Sequence, residues 1–273
     1  LFLKAVIAFL YNPFPMSMHK SYFEKSPIKG HEHFLAHISL DCVLFGFHDN
    51  QLKVLLLKMK RSDRWALPGG FMRKEETAEM AASRILEERT GISDIFLQQF
   101  HVFSAPNRSD QTGAVALLKE EGVLQIDEAW FNQRFISIGF YALVEFSQVK
   151  PSPDSFSDEC RWHDLEEIGS LILDHNQILS KALETLRLQL NYQPIGSELL
   201  PEKFTMPELQ KLYEAILGKK LDRRNFHRKI TAYGILEKLA ERRSGVAHKA
   251  PDLYRFDAEK YQQALKAGLQ GGW

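Results

Sequence analysis

Apolar and polar positions divide the chain into a long strand-and-helix region and a shorter, helix-rich one. From Phe34 the pattern is strand-like, and Ile38 to Phe47 is largely apolar and β-branched. The polar turn His48-Asp49-Asn50-Gln51 separates it from a second run, Leu52 to Lys58, which together predict a hairpin. The turn-rich stretch Trp65-Ala66-Leu67-Pro68-Gly69-Gly70-Phe71 leads into Thr77–Thr90, where Ala78, Ala81, Ala82, Ile85 and Leu86 recur at three- and four-residue spacing. That period predicts a helix, with Gly91 as its stop. Strands are predicted over 95–103 and 135–146, and a second helix over 174–190 with Asp174 as its N-cap. The long connection Gln111–Gln133, with Lys119-Glu120-Glu121-Gly122, is either a functional flap or a disordered insert.

Pro194, Gly196 and Pro201 then punctuate a linker. Beyond it, Thr205 and Glu208 form a capping box that opens a helix over Met206–Leu217, with Leu209, Leu212, Tyr213 and Ile216 facing inward and Gly218 ending it. Asp222 caps a second helix to Gly234, with Phe226, Ile230 and Tyr233 as its apolar stripe. Two strands follow, Ile235–Glu241 and Asp252–Phe256. The expected organisation is an irregular segment 1–30, a large domain 31–190, a linker 191–200 and a small domain 201–273.

Length and composition refine this picture. The chain has 273 residues, 44% hydrophobic and 26% charged, which is ordinary for soluble globular domains and enough for two cores. A formal net charge of zero excludes a wholly basic nucleic-acid coat or an acidic tail. Cys42 and Cys160 give neither a disulfide framework nor a zinc spacing, so a reducing, cytoplasmic setting is expected. Leu1–Phe14 is mostly apolar but too short to span a bilayer. Met16 or Met18 is the expected natural start, with a short membrane or partner anchor as the alternative; no membrane partner is otherwise expected.

One constellation lies between Gly70 and Ile92. Gly70 is followed by Glu76, Arg84, Leu86, Glu87, Glu88, Gly91 and Ile92 at a spacing that resembles the Nudix box. That resemblance implies a Nudix α/β/α sandwich with a mixed sheet, an α/β (α+β) fold. In such a box three carboxylates on one helix face hold Mg²⁺, a hard cation that takes oxygen ligands, against a diphosphate. Here those positions are Ile85, Glu88 and Arg89. Ile85 offers no ligand and Arg89 puts a positive charge where a cation would sit. Glu87 is about 100° away around the axis. A degenerate box is therefore expected, with no metal, no cofactor and no catalytic residue, Glu76 and Arg84 bracing the loop. The alternative is hydrolysis rescued by Glu76, Glu79 and Glu87.

The second constellation is basic. Pro201 to Ala250 holds twelve Lys/Arg against six Asp/Glu. Arg223, Arg224, Asn225, His227, Arg228 and Lys229 lie on or beside the polar face of the second helix, and Arg242, Arg243 and Lys249 lie in the hairpin loop. Helix, turn, basic helix and hairpin make a winged helix-turn-helix, suited to a double-stranded DNA operator. A basic protein- or RNA-interaction module is the bland alternative.

Together, the box and the tail from Leu199-Leu200-Pro201-Glu202-Lys203-Phe204-Thr205 to Leu221-Asp222-Arg223-Arg224-Asn225-Phe226 look like the NrtR-type Nudix-related transcriptional regulators. The resemblance implies a homodimer whose Nudix pocket senses a small molecule, either an ADP-ribose-like nucleotide or a sugar such as arabinose. It implies an effector site lined by Asp41, Lys58, Trp65, Phe71, Glu88, Arg108, Asp110 and Tyr141. Asp174-His175 also matches a pair common in the family, and the helix 174–190 is the expected coupling element. An active nucleoside-diphosphate hydrolase with an accessory winged helix is the competing reading.

Overall fold

The computed structural model describes residues 30–60, 62–93, 95, 97–108, 130, 132–153, 157–243 and 250–269. The N-terminal segment, Asp110, Lys249 and nearly all of Gln111–Gln133 lie outside the described residues.

A short turn of helix, α1 (Gly30–His33), leads into the long strand β1 (Phe34–His48). β1 and β2 (Gln51–Met59) form the expected hairpin, in register from Phe45↔Val54 to His48↔Gln51. Asp49 and Asn50 carry φ of 50° and 61°, as a two-residue turn matched to strand twist requires. β1 pairs in parallel with β6 (Ile136–Val144) and antiparallel with β4 (Gly69–Arg73), so the sheet is mixed. Its path is β3 (Trp65–Ala66), β2, β1, β6 and β5 (Gln98–Phe103), with β7 (Ser157–Asp164) on β2. The polar strand β7 was not among the sequence expectations.

Because β1 is central, both of its faces are covered, which explains a nearly continuous apolar run in place of alternation. Leu40, Cys42 and Leu44 pack under α2 (Ala78–Thr90) with Ala81, Ala82, Ile85 and Leu86. Val43, Phe45 and Tyr141 pack on the other side with Ile178, Leu179, Ala182 and Leu186 of α3 (His175–Gln189). The layers are α/β/α, and Gly91, at φ 72°, closes α2 in the left-handed conformation.

Asp174 does not cap α3. It occupies the N-cap position without a side-chain cap bond, and Arg108 takes both of its carboxylate oxygens. A charge-assisted, two-pronged ion pair outcompetes a single bond to a helix N–H.

The second layered unit holds β8 (Phe204–Thr205), α4 (Met206–Leu217), α5 (Arg223–Ala232), β9 (Leu236–Arg242), β10 (Asp252–Phe256) and α6 (Ala258–Ala267). The capping box forms: Glu208 N–H donates to Thr205 Oγ1 at 3.4 Å and Thr205 N–H to Glu208 Oε2 at 2.6 Å. Asp222 Oδ1 accepts from Asn225 N–H at 2.9 Å and starts α5. The strands order as β8-β10-β9, and α6 lies beyond the sequence expectations.

The segment 191–200 is part of the core. Ile195, Leu199 and Leu200 are buried, Ile195 N–H donates to Tyr213 Oη at 3.4 Å, and Tyr261 Oη donates to the Pro194 carbonyl at 2.9 Å. One apolar cluster runs from Val43 and Phe45 through Leu186 and Leu199 to Leu209, Tyr213, Phe226 and Ile230. Among the described residues no helix is long and apolar enough to cross a membrane.

Candidate functional site

The turn between β4 and α2 is a closed set of charges. Arg84 donates to Glu76 through Nε at 2.5 Å and Nη2 at 2.8 Å, and to the Phe71 carbonyl at 2.8 Å. Arg73 N–H also donates to Glu76 at 3.0 Å. Burial raises the Glu76 pKa, but Arg84 and Arg73 outweigh it and hold the carboxyl below its usual range. Both oxygens of Glu88 are engaged, one by Arg84 at 2.9 Å and one by Arg73 at 3.0 Å. Ile85, 2% exposed, packs against Gly70, where an added Cβ would lie 3.1 Å from its Cγ1. Glu87 points to solvent. Arg73, which sequence reasoning missed, is a second cation on Glu88, the carboxylate left at the three metal positions.

A buried cluster lies where β1, β6 and the start of α3 meet. Arg108 binds Asp174 at 2.9 and 3.0 Å, the Phe135 carbonyl at 3.2 Å and Asp41 at 3.5 Å. Ser137 Oγ donates to Asp41 Oδ2 at 2.5 Å. Leu67 N–H donates to His175 Nδ1 at 2.9 Å, which leaves the proton on Nε2, 3.4 Å from Asp41 Oδ1. Burial holds the His175 pKa below its usual value against the pull of Asp41 and Asp174, and the charges of Arg108 and Arg89 add to the depression. At Gly69 an added Cβ would lie 2.5 Å from Asp41 Oδ1, so this first position of β4 favours glycine. Ser137 and the pairing of Arg108 with Asp174 were not foreseen; the Asp174-His175 dipeptide was the available signal.

Of the residues expected to line one effector site, Asp41 and Arg108 are in contact. Phe71 joins them through Phe135, with ring centroids 5.0 Å apart, and its own carbonyl leads by Arg84 to Glu88. Lys58 and Trp65 face each other on the paired strands β2 and β3, apart from these residues. Lys58 pairs with Asp63 and Glu159 at 3.4 and 3.5 Å, and Arg161 lies 4.6 Å over the Trp65 ring. Tyr141 donates to Gln98 at 2.9 Å and contacts Gln189, at the far end of α3.

On α5, Phe226 and Ile230 are buried while Arg223, Arg224, Asn225, His227 and Arg228 face solvent. Among the described residues no ion pair engages Arg223, Arg224 or Arg228; Arg228 donates only to Asn225, at 3.2 Å. Lys229 is partly buried, and burial with the nearby charge of Lys219 lowers its pKa. The arginines expected in the hairpin loop lie at its edge, Arg242 closing β9 and Arg243 following it, and both are paired. Arg242 pairs with Asp252 at 3.2 Å, and Arg243 pairs with Glu208.

A Nudix-type sandwich fused to a winged helix defines the class of protein. The chain matches the NUDIX domain profile over residues 36–186 and the NrtR DNA-binding winged helix domain profile over residues 196–256. The chain therefore belongs to the NUDIX family, with the NrtR-type arrangement of Nudix domain and winged helix. It is similar to the ADPR responsive transcriptional repressor NtrR of Acinetobacter baylyi, 29% identical over 232 residues, covering 82% of this chain and 83% of that one. It is also similar to an ADP-ribose pyrophosphatase of Methanocaldococcus jannaschii, 30% identical over 137 residues, covering 49% of this chain and 68% of that one. The fold resembles Shewanella oneidensis NrtR, solved with a 27mer DNA, at a TM-score of 0.66 and 23% identity, covering 86% of this chain and 99% of that one.

Proposed function

We propose that this chain is a DNA-binding transcriptional regulator whose Nudix domain senses ADP-ribose and does not cleave it. The observation that carries the reading is α5: Arg223, Arg224 and Arg228 face solvent and, among the described residues, meet no acidic partner, on a helix anchored in the core by Phe226 and Ile230. A localised, unquenched positive face is what a phosphate backbone requires. The Acinetobacter relative, matched along most of both chains, supports both regulation and an ADP-ribose effector.

The Nudix box supports a non-hydrolytic role. A magnesium site needs several convergent oxygen ligands. Here Ile85 supplies none, Arg89 brings a positive charge, and Glu88 is already held by Arg73 and Arg84. The donors do not fit the metal. Asp41 and Arg108, linked to Phe71 through Phe135 and on to Glu88 through Arg84, are with those two the effector-site residues we favour, and the operator is read by a homodimer.

Binding of a labelled duplex from the protein's own upstream region, with and without ADP-ribose or arabinose, tests the reading. Specific binding that ADP-ribose alters is expected. Release by arabinose alone would replace the effector. Mg²⁺-dependent release of AMP from ADP-ribose would reinstate the hydrolase. A chain that ignores duplex DNA would overturn the regulator.

A further inference from the structure

The turn that joins α4 to α5 is gripped from one side. Gly218, at φ 66°, ends α4, and Lys219, Lys220 and Leu221 lead to the Asp222 cap. Both backbone polar groups of Leu221 are held by α4 side chains one helical turn apart. Leu221 N–H donates to Glu214 Oε1 at 3.0 Å, and Gln210 Nε2 donates to the Leu221 carbonyl at 2.9 Å. Gln210 also donates to Glu214 Oε1 at 3.1 Å, which ties the two jaws together. The second oxygen of Glu214 takes Lys211 at 3.0 Å and Lys220 at 3.5 Å.

Glu214 is the one buried carboxylate in the described winged helix, 8% exposed, and it lies in the most basic part of the chain. Burial raises its pKa, but Leu221 N–H, Lys211 and Gln210 outweigh burial and hold it down to about 2. The group is therefore an anion throughout the physiological range. A carboxylate retained beside a phosphate-binding helix weakens binding by its charge alone. Its geometry gives the reason to keep it, because Leu221 immediately precedes the residue that starts α5.

We infer that Gln210 and Glu214 are positioning residues for sequence reading: they fix the Leu221 backbone, and through it the placement of α5 against base edges. The inference rests on the regulator reading above. Phosphate contacts tolerate small rotations of a helix, whereas base contacts do not. Loss of the clamp therefore lowers preference for the operator more than affinity for DNA in general.

Charge and positioning predict different outcomes for Glu214→Ala: loss of the charge leaves the operator-to-scrambled ratio unchanged, and loss of the clamp lowers it. Removal of a negative charge raises affinity for every duplex. Loss of the clamp lowers affinity for the operator relative to a scrambled duplex of equal length.

The test uses the full chain and its Glu214→Ala, Glu214→Gln and Gln210→Ala variants, with the two duplexes at one salt concentration and below the lowest melting temperature. The operator-to-scrambled affinity ratio is expected to fall tenfold or more for Glu214→Ala. A smaller fall is expected for Glu214→Gln, whose amide oxygen can still accept from Leu221. Gln210→Ala keeps the measurement usable if Glu214→Ala fails to fold. A wild type that prefers its operator, with variants that keep the wild-type ratio even if they melt earlier, overturns the clamp alone. A wild type with no preference overturns the regulator reading and this role with it.

Discussion

Helices α2 and α5 use the same side chain in opposite ways. On α2, Arg84 is 11% exposed and meets Glu76, Glu88 and a backbone carbonyl. On α5, Arg223, Arg224 and Arg228 project into solvent with no carboxylate opposite among the described residues. A guanidinium facing its own carboxylates rigidifies a loop, and one facing water remains available to an external phosphate. The role of an arginine in this chain follows from where its acidic partner lies, and helix propensity says nothing about it.

The comparison breaks first at Arg84. Arg84→Ala takes the main partner from two partly buried carboxylates, which keep only their contacts to Arg73, and removal of one partner of a buried pair costs roughly 3–5 kcal/mol. Urea melts should show a loss near the lower end, while Arg224→Ala stays within about 0.5 kcal/mol of wild type. Equal effects at the two sites would erase the distinction drawn here. The converse variant is Arg228→Ala. Its stability should be unchanged, and operator binding by anisotropy should weaken by about 1–3 kcal/mol if Arg228 reads a base. Unaltered binding would remove Arg228 from the interface.

Local chemistry was readable in the sequence. The helix boundaries at Thr77, Gly91, Thr205, Gly218 and Asp222 follow from caps that involve neighbours within four residues. The Asp49-Asn50 turn was equally local. What stayed hidden depends on long separations. β7 reads Ser-Asp-Glu-Cys-Arg-Trp-His-Asp, a pattern with too little apolar alternation to declare a strand, and its pairing with β2 reaches back about a hundred residues. Arg108 meets Asp174 across 66 positions, so neither residue announces the other. Glu214 looked like one acidic residue in a basic tail, although Gln210 one turn earlier was a usable hint of a clamp. The segment 191–200 has the composition of a linker, yet Ile195, Leu199 and Leu200 insert into a core shared with the sheet.

That shared core gives α3 a fixed point at each end. Asp174 and His175 are tied to Arg108 and Asp41 at the start, while Gln189 meets Tyr141 and Arg187 Nε donates to the Ile216 carbonyl of α4 at 2.7 Å at the finish. Burial pushes the Tyr141 hydroxyl up to about 12, so it remains a neutral donor. Tyr141→Phe should therefore cost about 1 kcal/mol in a urea melt, the net worth of a typical hydrogen bond. A neutral substitution would mean that the C-terminal tie of α3 is not energetic.

The smallest effect is a pH dependence that starts at the buried end of α3. His175 is buried and its pKa lies below 6.5, so the unfolded chain binds the proton more readily than the folded one. Stability is then full above pH 6.5 and is lost as pH falls toward the folded value. For a histidine that stays neutral in the fold, the loss between pH 7 and pH 6 is at most roughly 0.7 kcal/mol. His163, lowered by burial and by Arg161, adds a slope of the same sign. The readout is thus the difference between wild type and His175→Gln across that interval, in which the His163 contribution cancels. The variant should show the shallower dependence. A His175→Gln variant that kept the wild-type slope would remove the buried imidazole from the pH dependence.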